Sequence, residues 1–380
     1  TIDPIFNGRS RPSEITAAML NLNSMRRVFI SEVYPETDVV QGQTAILRTF
    51  DMAYFPNEPG PFNTDTDFNP LATSNRWGGA MRALMTTNFE QANIEYLQFW
   101  MMHPFTPGTI ASGRLIIDLG NVSEDILPDQ ATQFENGIND QATAVTFGKV
   151  PLRNALIYNF DNDAGLRAIQ DVGLDGLNDT EEAFIYPGPL ADPARDNYQN
   201  YLEAEGTIIE RYKFFNNTQG NSPIESGDFT RGATVLPDVE DVDRDFATNT
   251  VESFFQYEIP LSAVVTESMP YVNTVRSSEQ ANGAVWVQYK IPLRDFTKAI
   301  GGISDFRSIP FVRMHLEGFN EPVVLRFAGI DLIQGSWRIY DKPLELDTPL
   351  LPSSVTDIEI GAVNIEENSN RSPIPYVLPS

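Results

Sequence analysis

Phe311-Val-Arg-Met-His-Leu-Glu317 alternates apolar and polar side chains, with Val312, Met314 and Leu316 on one face and Arg313, His315 and Glu317 on the other. A period of two predicts a β-strand with one face against a core. The same pattern recurs over residues 114–119, where Leu115, Ile117 and Leu119 form the inward set. Over residues 94–102 Leu97, Phe99 and Met101 share one face while Trp100 occupies the other, so both faces are expected to be partly covered. Further strands are expected at residues 254–259, 285–291, 323–327 and 337–340, with a short one at 156–160. Helical spacing is confined to residues 12–27, where Ile15, Ala18, Met19 and Leu22 align, and to residues 196–205.

Two strand-rich blocks thus bracket an acidic stretch rich in Asn and Gly. The predicted fold is mostly β: a jelly-roll-like β-sandwich with a long loop-rich, metal-binding insertion and few short helices. Residues 1–70 read as an N-terminal segment with a short helix and strands, 71–345 as the sandwich, interrupted at about 128–254, and 346–380 as a Pro-rich connector.

Within the interruption, Asp171-Val-Gly-Leu-Asp175-Gly176-Leu-Asn-Asp179-Thr-Glu181-Glu182 fits a twelve-position calcium loop, with Asp171, Asp175, Asp179 and Glu182 at positions one, five, nine and twelve and Gly176 at the sharp sixth. Position three is Gly173, so a water or a neighbouring carboxylate must complete that site. A second copy, Asp241-Val-Asp243-Arg-Asp245-Phe-Ala-Thr-Asn249-Thr-Val-Glu252, places Asp241, Asp243, Asp245, Asn249 and Glu252 at ligand positions and Phe246 at the sixth. Hard cations take six to eight oxygen ligands, and dense carboxylates require such compensation. Calcium is the expected cofactor, replacing a core that the apolar-poor loops cannot build. A pair of solvated acidic turns is the alternative, since Asp, Asn and Gly are ordinary loop residues.

The chain has 26 basic and 52 acidic residues, a formal charge of −26 that opposes binding to phosphate backbones or anionic lipid. Its 41% hydrophobic share is ample for a core, and the absence of cysteine excludes disulfides, thiol catalysis and Cys-type zinc sites. No run of eighteen apolar residues suggests a transmembrane helix. The start at Thr1, without a leader, reads as a processed product or an excised piece.

Only His103 and His315 are present, neither in a catalytic or metal-binding spacing, and the nucleophile-elbow, phosphate-loop and H-E-x-x-H motifs are missing. A carboxylate pair drawn from Glu95, Asp118, Glu124 and Asp125 is the remaining catalytic option, and chance pairs are common among 52 acids. No enzymatic activity is expected. Trp77, Trp100, Trp286 and Trp337 could stack on sugars where exposed, so a secreted calcium-stabilised carbohydrate-binding module is a second reading.

Several ordered strings carry a family resemblance: Tyr54-Phe-Pro-Asn-Glu-Pro-Gly-Pro-Phe-Asn63, Arg76-Trp-Gly-Gly-Ala-Met-Arg82, Phe89-Glu-Gln-Ala-Asn-Ile-Glu-Tyr-Leu-Gln-Phe-Trp100, Asp118-Leu-Gly-Asn-Val-Ser-Glu-Asp-Ile126, Gly173-Leu-Asp-Gly-Leu177, Pro237-Asp-Val-Glu-Asp241, and Val363-Asn-Ile-Glu-Glu-Asn-Ser-Asn-Arg371 leading to Pro375-Tyr-Val-Leu-Pro379. Together they resemble the SprA family of Bacteroidetes, with a departure at Pro59 where the family pattern has a basic residue. The resemblance implies a fragment of the giant outer-membrane translocon of the type IX secretion system, which also serves gliding motility. It implies as partners a PorV-like shuttle protein, a plug protein, secreted cargo and the remainder of the channel's own barrel. It supplies no catalytic residues. Because the strand series of a transmembrane barrel is not visible, this segment is expected to be soluble and exposed outside the membrane plane, structuring the pore mouth.

Overall fold

The computed structural model describes residues 11–335 except 38–41, 43–44, 64–75, 106–111, 140, 154–156, 187–189, 224–231 and 279–281. In chain order the elements are α1 (Ala17–Leu20), β1 (Val28–Phe29), α2 (Ile30–Val33), β2 (Ile46–Leu47), β3 (Phe50–Tyr54), β4 (Trp77–Ala83), β5 (Ile94–Met102), β6 (Ser112–Asn121), β7 (Thr143–Val145), β8 (Gly148–Val150), α3 (Ala164–Gln170), α4 (Asp179–Glu182), α5 (Ile208–Arg211), β9 (Ser253–Ser262), β10 (Val272–Ser278), β11 (Ala284–Pro292), β12 (Lys298–Ala299), β13 (Phe311–Glu317) and β14 (Val323–Gln334). Thr1–Ile333 forms one compact unit and Gln334–Ser380 a second, nearly all of which lies beyond the described residues, as do the expected strand at 337–340 and the Pro-rich connector.

The alternating strands assemble into two five-stranded sheets, ordered β10-β11-β5-β14-β3 and β12-β9-β6-β13-β4. Between β3 and β14 the chain shuttles from one sheet to the other, so β3-β14-β5-β11 faces β4-β13-β6-β9. That is the eight-strand winding of a jelly roll. Antiparallel register sets Leu316 opposite Leu115 and Met314 opposite Ile117 in one sheet, and Tyr289 opposite Phe99 in the other. The inward residues of both sheets merge into one core that includes Leu97, Phe99 and Met101, Leu115, Ile117 and Leu119, Phe255, Tyr257 and Ile259, and Leu325 and Phe327. Phe99 stacks on Tyr289 with centroids 5.3 Å apart and meets Phe327 edge-on at 5.6 Å.

The outer face of the first sheet is covered by the N-terminal segment. Trp100, Met102, Trp286 and Ala328 are buried against Val28 and Val33, which explains the two-sided apolar pattern of β5. Arg326 fastens this layer: its Nη1 donates to the carbonyls of Asn23 (2.8 Å) and Arg26 (2.7 Å) and its Nε to Asp51 Oδ1 (3.1 Å). On the outer face of the second sheet the polar residues are enclosed by one another. Asp118 is fully buried, accepting from Arg313 Nε (2.8 Å) and Gln256 Nε2 (3.0 Å). His315, expected to face outward, is on that face and nevertheless buried, under the edge of Trp77 (5.5 Å) and between Asp118 and Glu317. Burial, helped by the neighbouring Arg313 charge, lowers its pKa despite the opposing pull of Asp118 and Glu317.

The helical expectations need correction. Only α1 forms within residues 12–27, capped by the Thr16 side chain, which accepts from Met19 N. No helix forms over 196–205: Arg195 takes a left-handed φ of 59°, Asn197 pairs with Gln219, and Asn200 closes a turn by accepting from Leu202 N. A helix forms only beyond that stretch, where the capping box of Thr207 with Glu210 launches α5. Residues 157–160 are not a strand, because Tyr158 is pulled aside to stack on Phe246 (5.1 Å) and donate to Asp241; Leu156 lies outside the described residues.

The insertion, residues 122–252, connects β6 to β9, and its cohesion comes from three fully buried glutamates. Glu124 accepts from Val242 N (2.7 Å), Asp243 N (3.3 Å) and the backbone and side-chain nitrogens of Asn249 (2.9 and 3.1 Å). Glu135 accepts from Gly173 N (3.1 Å) and Asp238 N (2.7 Å), and Glu240 from Leu127 N and Gln133 N, both at 2.9 Å. Each joins segments distant in sequence through hydrogen bonds that compensate backbone amides no ladder reaches.

Two outcomes are expected. Phe99→Ala, which empties the centre of the core, lowers the unfolding free energy by about 3 to 5 kcal/mol in a denaturant titration. Burial pushes Glu240 up to about 8, against an unfolded value of about 4.3, so its contribution is full below the unfolded value and is lost as pH rises through 8. The denaturant midpoint measured in chelator falls between pH 7 and pH 9, and the fall shrinks in Glu240→Gln.

Candidate functional site

Among the described residues, acidic side chains of the insertion gather in three groups, each with carboxylate oxygens within 4.8 Å of one another: Asp175, Glu182 and Asp196; Asp179, Glu182 and Asp192; and Glu124, Asp241 and Asp243. The first two share Glu182, at the end of α4. They are assembled by the turn between α3 and α4, where Gly173 (φ 96°) and Gly176 (φ 72°) adopt left-handed conformations. Gly173 has a further reason to lack a side chain, because a Cβ there would collide with Asp196 Oδ2. A neighbouring carboxylate therefore stands where the third-position residue of the loop carries none. The turn is seated against the β7–β8 hairpin by Lys149 N, which donates to the Asp175 carbonyl at 2.9 Å.

Of the first loop's predicted ligands, Asp175 and Glu182 come together and Asp179 joins Glu182 in the adjacent group. Asp171 belongs to neither group. It ends α3, and its two carboxylate oxygens receive Ser222 N at 3.3 and 3.1 Å. Asp179 Oδ1 accepts from Asn197 Nδ2 (2.9 Å), and Asp192 accepts from the backbone nitrogens of Asp196 (3.2 Å) and Asn197 (3.3 Å). Burial, reinforced by the neighbouring carboxylates, raises Asp175 to about 8, Glu182 to about 7 and Asp196 to about 9. The same three residues raise the pKa of the Tyr186 phenol beyond what its burial does, placing that ring in their field.

In the second loop Asp241 and Asp243 gather with Glu124, which comes from the end of β6. Phe246 at the sixth position takes φ 71°, the conformation that Gly176 takes at 72° in the first loop, so the turn survives without glycine. Here the carboxylates are occupied. Asp241 accepts from Asp245 N (3.1 Å) and Phe246 N (2.8 Å) as well as from Tyr158, and Asp245 Oδ1 accepts from Ala247 N (2.8 Å). Asn249 donates to Glu124, and Glu252 is turned away, accepting from Ser123 N (3.2 Å) and facing Arg313. Three of the four carboxylates considered for catalysis are engaged separately: Asp118 is held by Arg313, Glu124 closes the second loop, and Asp125 caps a turn by accepting from Asp129 N and Gln130 N. Of the tryptophans, Trp100 and Trp286 are core, Trp77 is 58% exposed, and Trp337 lies outside the described residues.

Glu124, Asp192 and Asp196 were absent from the sequence-based ligand set. Asp192 and Asp196 lie beyond the twelve-residue window, and Glu124 precedes its loop by more than a hundred residues, so spacing carries no signal for any of them.

No curated protein matches the chain. The family model SprA_N, described as a motility related/secretion protein, matches residues 168–380, more than half of the chain and including the first acidic turn, the second loop and the sandwich strands from β9 onward. With that match added to the strings quoted from both ends of the sequence, the chain belongs to the SprA N-terminal family of motility-related secretion proteins.

Proposed function

We propose that this chain is a non-enzymatic, water-exposed domain of a giant outer-membrane channel, the type IX secretion translocon, where it structures the mouth of the pore and contacts partner proteins. The observation that carries this reading is the family match over residues 168–380. The physical character of the domain supports it. A net charge of −26 disfavours adsorption to anionic headgroups, and among the described residues no helix is long and apolar enough to cross a membrane. A sandwich whose outer faces are themselves covered, by the N-terminal segment on one side and a charged layer on the other, suits a rigid spacer beside a pore. Its partners would be a PorV-like shuttle protein, a plug protein, passing cargo and the rest of the barrel. The reading as non-enzymatic rests on the separated carboxylates and on His315, enclosed by Trp77, Asp118 and Glu317.

A carbohydrate-binding module is the second reading, favoured by Trp77, which stays exposed on the sheet face beside Arg313 (5.9 Å from its ring).

Fractionated cells immunoblotted with an antibody against this chain test the first reading. The expected result is a band far larger than 42.4 kDa in the outer-membrane fraction, co-purifying with a PorV-like protein. A soluble or secreted band near 42.4 kDa overturns it. Glycan-array binding that disappears in Trp77→Ala would favour the second reading.

A further inference from the structure

The three carboxylates of Asp175, Glu182 and Asp196 are buried together, and like charges at such spacing in a poorly solvated site require protons or a counter-charge. Lys149, whose charge is felt at Asp175, is bound through Nζ to both oxygens of Glu181 (3.0 and 2.9 Å). Hydrogen bonds account for one oxygen of each residue. Leu177 N donates to Asp175 Oδ1 (2.9 Å), Ala194 N to Glu182 Oε2 (2.9 Å) and Thr218 Oγ1 to Asp196 Oδ2 (3.2 Å). The opposite oxygens are a different matter. Asp175 Oδ2 has no hydrogen-bond partner although the residue is only 3% exposed, and a buried polar atom left so costs on the order of 1 to 3 kcal/mol, more when charged. Glu182 Oε1 and Asp196 Oδ1 meet the side-chain amide of Gln219, at 3.0 and 3.3 Å, whose nitrogen can donate to both.

We propose that Asp175, Glu182 and Asp196 bind one divalent cation of the calcium class, with Gln219 turning its amide oxygen towards the ion when it enters. An all-oxygen set of three carboxylates and an amide matches a hard cation, and calcium accepts a flexible set of this kind where magnesium demands a near-ideal octahedron and keeps its waters. The amide has two faces to offer: nitrogen to the carboxylates without the ion, oxygen to the ion with it. Asp196 replaces the third-position ligand that Gly173 cannot supply, and Asp171 is not a ligand. Asp179 and Asp192, already hydrogen-bonded beyond Glu182, add negative field without closing on the ion. The second loop binds none, because Glu124 and Asp241 are supplied with backbone donors. The centre would form whether or not the chain serves in export.

The test is calorimetric titration of the whole chain with calcium chloride after chelator dialysis, together with melting curves. One calcium per chain is expected, with a higher melting temperature when bound. Affinity falls at least tenfold in Asp175→Asn and Asp196→Asn and is unchanged in Asp171→Asn and Asp243→Asn. Removing one of the crowded charges makes Asp196→Asn melt at or above the parent chain in chelator and below it in calcium, a reversal that a purely structural role would not produce and that also shows the variant is folded. No heat and no melting shift at millimolar calcium overturns the proposal. So does binding that survives Asp196→Asn but is lost in Asp171→Asn, which would place the ion in the contiguous loop instead.

Discussion

The insertion depends on carboxylates that receive backbone amides. Glu124, Glu135 and Glu240 are fully buried, yet each accepts from N–H groups of segments far apart in sequence. A stretch with few large apolar residues cannot order itself by burial alone, and its backbone donors would otherwise stay unpaired in a dry interior. The glutamates answer both needs at once. Their raised pKa values are the cost of that arrangement, since burial disfavours the charge that makes the hydrogen bonds strong.

The two acidic loops show how similar sequences reach different electrostatic ends. Both turn through a left-handed sixth residue, and both draw a carboxylate from outside the loop: Asp196 for the first, Glu124 for the second. In the second, backbone nitrogens surround Asp241 and Glu124, so negative charge is met by dipoles. In the first, one oxygen of each residue receives a backbone or hydroxyl donor, the opposite oxygens of Glu182 and Asp196 face the Gln219 amide, and Asp175 Oδ2 is left unpaired. Composition cannot distinguish these cases. The placement of amides can.

Much of the sandwich is legible in the sequence, because a strand with one buried face writes its period into the chain. The expected strands at 94–102 and 311–317 coincide with β5 and β13, and those at 114–119, 254–259, 285–291 and 323–327 lengthen at one or both ends, whereas 157–160 forms no strand and 337–340 lies outside the described residues. Where both faces are buried for different reasons, the pattern misleads. His315 reads as outward and is outward, but Trp77 and Asp118 close over it. Local helical spacing at 196–205 loses to the pairing of Asn197 with Gln219 and to the siting of Asp196 in the acidic group, neither visible in a short window. β4, with two adjacent glycines, carries almost no strand signal, yet it pairs along β13, and the close approach there requires glycine because a Cβ at Gly79 would strike the Met314 carbonyl. The family to which the chain belongs is legible in whole strings, and the completed acidic group only in three dimensions.

The ladder between β6 and β9 runs from Ser112 opposite Ser262 to Asn121 opposite Ser253. The insertion therefore leaves and re-enters the sandwich at adjacent positions, about one strand spacing, 4.8 Å, apart. Mechanically, it hangs outside the load path. Tension travelling along the polypeptide enters at Ser112 and leaves at Ser262, which face each other at the end remote from the insertion, so it peels the β6–β9 ladder pair by pair and reaches the acidic turns only after all ten pairs have opened.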